Sequence, residues 1–171
     1  EVPKQFQSIG GKPMLMRTIE AFHRFDYRMR TVVVLPAAYR TLWEELCRLH
    51  RFILPHILVN GGETRFHSVK NGLAKIGEDE IVAIHDAARP FVSPEVIGRC
   101  FGEASDLRCG VIPVVGEKNS LRLLNGETSK AIDRSRIRVV QTPQVFPADL
   151  LKAAYQTTFH ERFTDDASVA E

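Results

Sequence analysis

The sequence predicts an α/β fold: a three-layer, mostly parallel, Rossmann-like sheet from which a β-arm projects. Three observations carry this. Short apolar or β-branched runs alternate five times with segments of helical periodicity, which implies parallel strands joined by right-handed crossovers. The run Ile81-Val82-Ala83-Ile84 passes directly into His85, Asp86 and Arg89, the pattern of a buried strand whose carboxyl end opens on a ligand site. Residues 117–138 are polar and charge-rich around Asn125-Gly126, a strong hairpin signal, and read as an arm rather than as core.

The elements follow in order. Pro13 to Phe25 carries Leu15, Ile19 and Phe22 at three- and four-residue spacing behind a first-turn proline, which predicts a helix. Thr31 to Leu35 is β-branched and closed by Pro36, a buried strand. Tyr39 to Phe52 repeats Leu42, Leu46 and Leu49 on one helical face, and Ile57 to Val59 is a short strand ending at Gly61-Gly62. Ser68 to Ile76 returns to helical spacing, and Ile81 to Ile84 is the next strand. Ser93-Pro94-Glu95 then supplies an N-cap hydroxyl, a proline at the first helical position and a first-turn acid. Gly110 to Val115 predicts a strand, with Pro113 placing it at an edge or an exit. After the arm, Val139-Val140 and Thr142-Pro143-Gln144 lead back to the body, and Pro147 to Phe159 predicts a helix. A last helix opens after Thr164, read as its N-cap hydroxyl, with Asp165 and Asp166 in its first turn.

The 171 residues fit one domain, residues 1–171, with room for a sizeable core. A net charge of +2 excludes a broad nucleic-acid or membrane surface while leaving room for a local phosphate pocket. No apolar run reaches the length of a membrane span and no signal-peptide pattern opens the sequence. Cys47, Cys100 and Cys109 lack CxxC spacing, which favours reduced thiols in a cytosolic protein. The six histidines show no HExxH spacing, so a zinc site is not expected. The sequence begins at Glu1 rather than Met and stops in a helical first turn at Glu171, so it reads as a piece of a longer chain.

Several residue groups carry possible chemistry. Asp86 and Arg89 stand where a metal ion and a phosphate could be held; the competing reading is a surface ion pair capping the next turn. His85, closing an apolar strand, is more readily explained by a backbone partner than by catalysis. Gly61-Gly62-Glu63-Thr64-Arg65 joins a strand to a helix, and its glycines let a ligand approach the main chain, with Ser68 one turn on. A plain tight turn explains that segment equally well. Lys4 alone reads as a solvated charge. Gly10-Gly11-Lys12 lacks the phosphate-loop spacing and reads as a turn. Asp165 and Asp166 read first as capping acids and second as metal ligands.

Taken together, these segments resemble the 2-C-methyl-D-erythritol 4-phosphate cytidylyltransferase family. The matching pieces are Pro3-Lys4-Gln5-Phe6, Gly61 to Arg65 with Ser68-Val69, His85-Asp86-Ala87-Ala88-Arg89-Pro90, Asp133-Arg134, Gln141-Thr142-Pro143-Gln144 and Thr164-Asp165-Asp166-Ala167-Ser168, in the family's order. The resemblance implies that CTP and methylerythritol phosphate react to give 4-diphosphocytidyl-methylerythritol and pyrophosphate. Such chemistry needs two anions positioned and neutralised rather than a protein nucleophile. By matched position, it implies Lys4 at the α-phosphate as the catalytic residue. It implies Gly62, Glu63, Ser68, Asp86 and Ala87 around CTP, with Asp86 also at a divalent metal, Mg²⁺ or a similar cation. Arg89, Ser120, Arg134 and Thr164 fall to the polyol phosphate; Ser120 is the weakest match because Asn119 stands where the family often has an acid. The arm, about residues 117–138, would reach into a partner subunit's site, implying a cytoplasmic bacterial homodimer with no nucleic-acid or membrane partner. The family's glycine-rich phosphate loop would precede Glu1 and its lysine-bearing segment would follow Glu171, so this stretch by itself is expected to turn over little or not at all. A ribitol 5-phosphate cytidylyltransferase on the same sheet, or a non-catalytic nucleotide-binding scaffold, are the competing readings.

Overall fold

The computed structural model describes residues 2–171. In chain order it contains β1 (Ser8–Ile9), β2 (Lys12–Pro13), α1 (Met14–Phe25), β3 (Val32–Leu35), α2 (Arg40–Leu49), β4 (Ile57–Asn60), α3 (Arg65–Leu73), β5 (Ile81–Ile84) and α4 (Pro94–Leu107). The chain continues through β6 (Val114–Gly116), β7 (Leu121–Asn125), β8 (Thr128–Ile132), β9 (Arg138–Val140), β10 (Gln144–Pro147), α5 (Ala148–Ala154) and α6 (Ala167–Ala170). Short 3-10 turns lie at Lys4–Phe6, Ala37–Tyr39 and Arg134–Arg136.

The fold class is α/β, as the alternation predicts. The β3–α2–β4 unit is the parallel crossover, with Val32 opposite Ile57 and Leu35 opposite Asn60. The other ladders among the described residues are antiparallel: β1 with β2, β5 with β10, β6 with β9 and β7 with β8.

The two larger of three apolar clusters pack against the strands. Leu15, Met16 and Ile19 of α1 pack with Phe6, Val33, Leu35 and Trp43. Phe66, Leu73, Val82, Phe146, Leu151, Tyr155 and Val169 form the other. The α4 start follows its sequence signals: Ser93 Oγ accepts from the Val96 amide at 3.3 Å, with Pro94 at the first position.

Local signals fail where burial overrides them. The segment 144–147 reads from sequence as a connection into a helix, yet it is β10, antiparallel to β5 with all four residues buried. A strand buried on both faces has no alternation to reveal it, and prolines at 143 and 147 disguise it further. The strand expected over Gly110 to Val115 is interrupted: Val111 makes an isolated bridge to Val145, and β6 begins only at Val114. Pro113 between them has no amide to offer a ladder. Helix α3 starts at Arg65, three residues before the periodicity suggests, because Thr64 Oγ1 accepts from the His67 amide at 3.4 Å. Helix α5 ends at Ala154, short of Phe159, whose ring instead packs 5.9 Å from that of Phe66.

The arm stands as the hairpin β7–β8, closed at Asn125 opposite Thr128, with Gly126 at φ +59°. That left-handed backbone is where glycine is needed. The β6–β9 ladder forms its root.

A buried polar network ties the second half of the chain together. Arg65 donates to both carboxylate oxygens of Asp166, at 3.1 and 2.5 Å. The Tyr155 hydroxyl donates to Asp166 Oδ1 at 2.7 Å. Gln144 Oε1 accepts from the amides of Asp166 and Ala167 at 2.9 and 3.0 Å, while its Nε2 donates to Asp165 Oδ2 at 2.9 Å. Asp165 Oδ1 accepts from the Ser168 amide at 3.0 Å, so the carboxylate capping the last turn is that of Asp165, and the Thr164 hydroxyl does not serve as the N-cap. Burial opposes ionisation of Asp165, but its hydrogen bonds from Ser168 and Gln144 and the nearby Arg65 charge outweigh it and hold the carboxyl below its ordinary range. Burial, and then the adjacent Asp166, push the Tyr155 phenol well above its ordinary value.

The Asp166 side chain has no exposed surface, whereas Arg65 remains 39% exposed. Removing the carboxylate therefore strands the Tyr155 hydroxyl more severely than the guanidinium, which water can reach. Asp166→Ala is expected to cost about 2–3 kcal/mol, measured as a lower denaturant midpoint at unchanged slope. A loss below about 0.5 kcal/mol would mean that the network does not hold the fold.

Candidate functional site

Among the described residues no ladder joins β3 and β5; the space of about 620 Å³ between them is lined by consecutive residues of both strand edges, so it is a gap in the sheet, and the candidate site lies at its rim beyond the carboxyl ends of the strands. The walls of the gap are the apolar strand residues; Thr18, Arg65, Ser68, His85, Asp86 and Ala87 add polar and main-chain groups. Apart from Thr18, which is on α1, these last residues lie at the carboxyl end of β5 and the first turn of α3, the place where open α/β sheets hold ligands.

The turn after β5 is bound on several sides. The Arg89 amide donates to Asp86 O at 3.0 Å, and Arg89 Nε donates to Asp86 Oδ2 at 2.8 Å. Arg89 Nη1 donates to Gln141 Oε1 at 2.5 Å, and the Asp86 amide donates to Thr142 Oγ1 at 3.3 Å. The Thr18 hydroxyl, on the buried face of α1, lies 2.9 Å from Ala87 O and 3.0 Å from Met14 O. Asp86 and Arg89 therefore form the ion pair of the competing reading, and it stands at the carboxyl end of β5.

His85 has the backbone partner expected of it. Its Nε2 lies 2.9 Å from Arg89 O. A carbonyl can only accept, so Nε2 carries the proton and Nδ1 is bare. Nδ1 is buried and has no partner among the described residues. Burial pulls the imidazole pKa below its ordinary value, against the opposing influence of the Arg89 carbonyl and Asp86.

The glycine turn before α3 is built on close approach. The Gly62 amide donates to Ser68 Oγ at 3.1 Å, and the Gly61 amide to Leu35 O at 2.8 Å. A Cβ on Gly62 would lie 2.4 Å from His67 Cβ, which no real side chain tolerates. Glu63 is exposed beside the turn.

The expected residues thus fall into groups. Ser68, Asp86 and Ala87 share the rim of the gap, Gly62 is tied to it through Ser68, and Arg89 is tied to it through Asp86. Lys4 is exposed on the turn Lys4–Phe6 and does not line the gap; Phe6 and Ala87 packing in one cluster is what links that turn to the site. Ser120 and Arg134 come together at the base of the arm, where Leu121 pairs with Ile132 and Arg134 Nη1 donates to Lys118 O at 2.5 Å. Thr164 is exposed just ahead of α6. No hydrogen bond among the described residues joins Ser120, Arg134 or Thr164 to Asp86 or Arg89. The sequence singled out no role for Thr18, Gln141, Thr142 or Gln144, although the last three lie inside a quoted motif. Thr18 had one usable signal, a hydroxyl on an otherwise apolar helix face.

No group of three or more His, Cys, Asp or Glu side chains able to hold a metal occurs among the described residues. Asp86 offers one carboxylate, of which Oδ2 is engaged by Arg89. Among the described residues, no helix is long and apolar enough to cross a membrane.

A family model described as 2-C-methyl-D-erythritol 4-phosphate cytidylyltransferase matches residues 1–171. A protein of that name from Bacteroides fragilis is 56% identical over 171 residues, covering 100% of this chain and 78% of the relative. One from Phocaeicola vulgatus is 50% identical with the same coverage. Among solved structures, a 4-diphosphocytidyl-2C-methyl-D-erythritol synthase superposes with a TM-score of 0.82 at 31% identity, over 98% of this chain and 80% of that one. The 2-C-methyl-D-erythritol 4-phosphate cytidylyltransferase of Thermus thermophilus gives 0.79 at 29% identity, over 98% and 78%.

Gly62→Ala should displace the glycine turn, at a cost of about 1–3 kcal/mol. Thermal melting measures the loss, and the amide resonances of residues 61–64 should move. An alanine variant with native stability and unshifted resonances would remove the close-approach argument.

Proposed function

The chain belongs to the 2-C-methyl-D-erythritol 4-phosphate cytidylyltransferase family, and from that premise we propose how its residues carry the reaction. It is a nucleotidyltransferase that moves a cytidylyl group from CTP to 2-C-methyl-D-erythritol 4-phosphate, giving 4-diphosphocytidyl-2-C-methyl-D-erythritol and pyrophosphate. A phosphate oxygen of the polyol attacks the α-phosphorus of CTP. The bond from that phosphorus to the bridging oxygen breaks, and pyrophosphate leaves with the electron pair.

The observation that carries the residue assignment is that Ser68, which accepts from the Gly62 amide, and Asp86, which pairs with Arg89, line the same rim between β3 and β5. Gly62, Glu63 and Ser68 read the cytosine end, where exposed main-chain groups and a hydroxyl can match a base edge. Asp86 and Ala87 lie against the nucleotide on the opposite side. Arg89 grips the polyol phosphate. Its Nε and Nη1 are already held by Asp86 and Gln141, so the guanidinium is oriented before the ligand arrives. Nη2 has no hydrogen-bond partner among the described residues. Lys4 neutralises charge that builds at the α-phosphate as the attacking oxygen approaches.

A hard divalent cation such as Mg²⁺ fits Asp86. Such ions take one or two carboxylates and complete their shell with substrate phosphate and water. Bound there, it would neutralise phosphate oxygens of the nucleotide.

Ser120, Arg134 and Thr164 complete the polyol pocket in this reading, with the arm serving a second copy of the chain. Leu123 and Leu124, 60% and 77% exposed on the hairpin, are apolar area suited to such a contact. The bacterial relatives support a cytosolic setting.

A cytidylyl-transfer assay with CTP, Mg²⁺ and either methylerythritol phosphate or ribitol 5-phosphate tests the substrate, and activity on ribitol 5-phosphate alone would overturn the assignment. In the active enzyme, Lys4→Ala should lower kcat about a hundredfold at an unchanged melting temperature; unchanged turnover removes Lys4 from the mechanism. Arg134→Ala should raise KM for the polyol phosphate about tenfold while leaving KM for CTP nearly unchanged. An effect confined to CTP would mean the arm serves the nucleotide.

A further inference from the structure

We propose that His85 is a positioning residue: by donating from Nε2 to the main-chain carbonyl of Arg89, it closes the turn after β5 and fixes the base from which the Arg89 side chain projects. The inference rests on the reading that Arg89 meets the polyol phosphate.

The peptide between Arg89 and Pro90 has only one hydrogen-bonding group, because proline carries no amide hydrogen. That group is Arg89 O, and the His85 ring nitrogen 2.9 Å away is its partner. The other bonds of the turn fix its earlier part: the Asp86 amide at Thr142, Ala87 O at Thr18, and the Arg89 amide at Asp86 O. Among the described residues, His85 alone anchors the peptide plane that leaves Arg89. Without it, that plane is free to rotate, and the geometry of Arg89 with Asp86 and Gln141 loosens with it.

The ring itself is held rigidly. It packs edge-on to Phe22, with centroids 4.9 Å apart at 67°. An apolar ring would fill the same space without burying the unpartnered Nδ1, a burial that costs stability. What the imidazole adds over such a ring is the donor at Nε2. Its reach is also specific: the side chain spans four residues, from the end of the strand to the end of the turn.

Length and donor can be separated by substitution. Glutamine places an amide N–H near the position of Nε2. Asparagine places one near Nδ1, too short to reach Arg89 O. Leucine fills the wall beside Phe22 and has no donor. Steady-state kinetics are expected to show His85→Asn and His85→Leu raising KM for methylerythritol phosphate about three- to tenfold, with KM for CTP and kcat within about twofold. His85→Gln should restore KM to within about twofold of the parent. A merely structural role would lower stability and both affinities together, with no rescue by glutamine. Equal behaviour of the glutamine and asparagine variants, or equal losses for both substrates, overturns the proposal. Arg89→Ala supplies the control. If it leaves KM for the polyol phosphate unchanged, the assignment of Arg89 falls and takes this inference with it. If it raises that KM while the asparagine and leucine variants do not, only the role of His85 is refuted.

Discussion

The ion pair that brings Arg65 to the buried Asp166 carboxylate is the constraint on which the second half of the molecule depends. A carboxylate with no exposed surface must have its charge met inside the protein, and here a bidentate guanidinium and a phenol meet it. The partners come from widely separated places: the first residue of α3, the end of α5 and the neck of α6. Gln144 on β10 adds the amides of Asp166 and Ala167 and the carboxylate of Asp165. One network thus sets where the glycine turn stands relative to the strand paired with β5. Two of the chain's acids, candidates for metal binding on sequence alone, are committed to this architecture.

The same economy appears at the rim of the gap. Asp86 and Arg89 would read as an ordinary surface ion pair if they stood anywhere else. At the end of β5 the pair orients the Arg89 guanidinium, which Gln141 also holds, while Thr142 holds the Asp86 amide. Gln141 also links the turn to the root of the arm, since its amide donates to Pro113 O at 2.9 Å. Ser120 and Arg134, proposed for the polyol phosphate, are therefore connected to Arg89 through the covalent and hydrogen-bonded frame of β9, although they do not touch it. Ser120 and Arg134 stand together at the base of the arm rather than beside Asp86.

Much of this was legible in the linear order of residues. The β-branched runs at 32–35 and 81–84, the helical stripe of α1, the Ser93-Pro94 start and the Asn125-Gly126 hairpin each depend on interactions within a few positions, and each appears where its local chemistry puts it. So does the Asp86–Arg89 turn, because a strand that stops at charged residues must leave them at its end. What local chemistry cannot encode is the partner of a fully buried strand. Residues 144–147 have neither alternation nor free amides at the prolines, and only their ladder with β5 makes them a strand.

By itself, then, the sequence determined the α/β class, the order of most elements, the family, and the motifs that would carry the chemistry, since propensity, capping and spacing are properties of neighbours along the chain. The tertiary structure alone decided that Asp166 is a structural anion, that Asp165 rather than Thr164 caps the last turn, that Thr18 supports Ala87 from 69 positions away, and that His85 holds the carbonyl of Arg89. Each of these turns on which group satisfies a buried charge or an unpaired main-chain atom. That choice is made in three dimensions, where desolvation demands a partner and sequence distance has no bearing on which one is near.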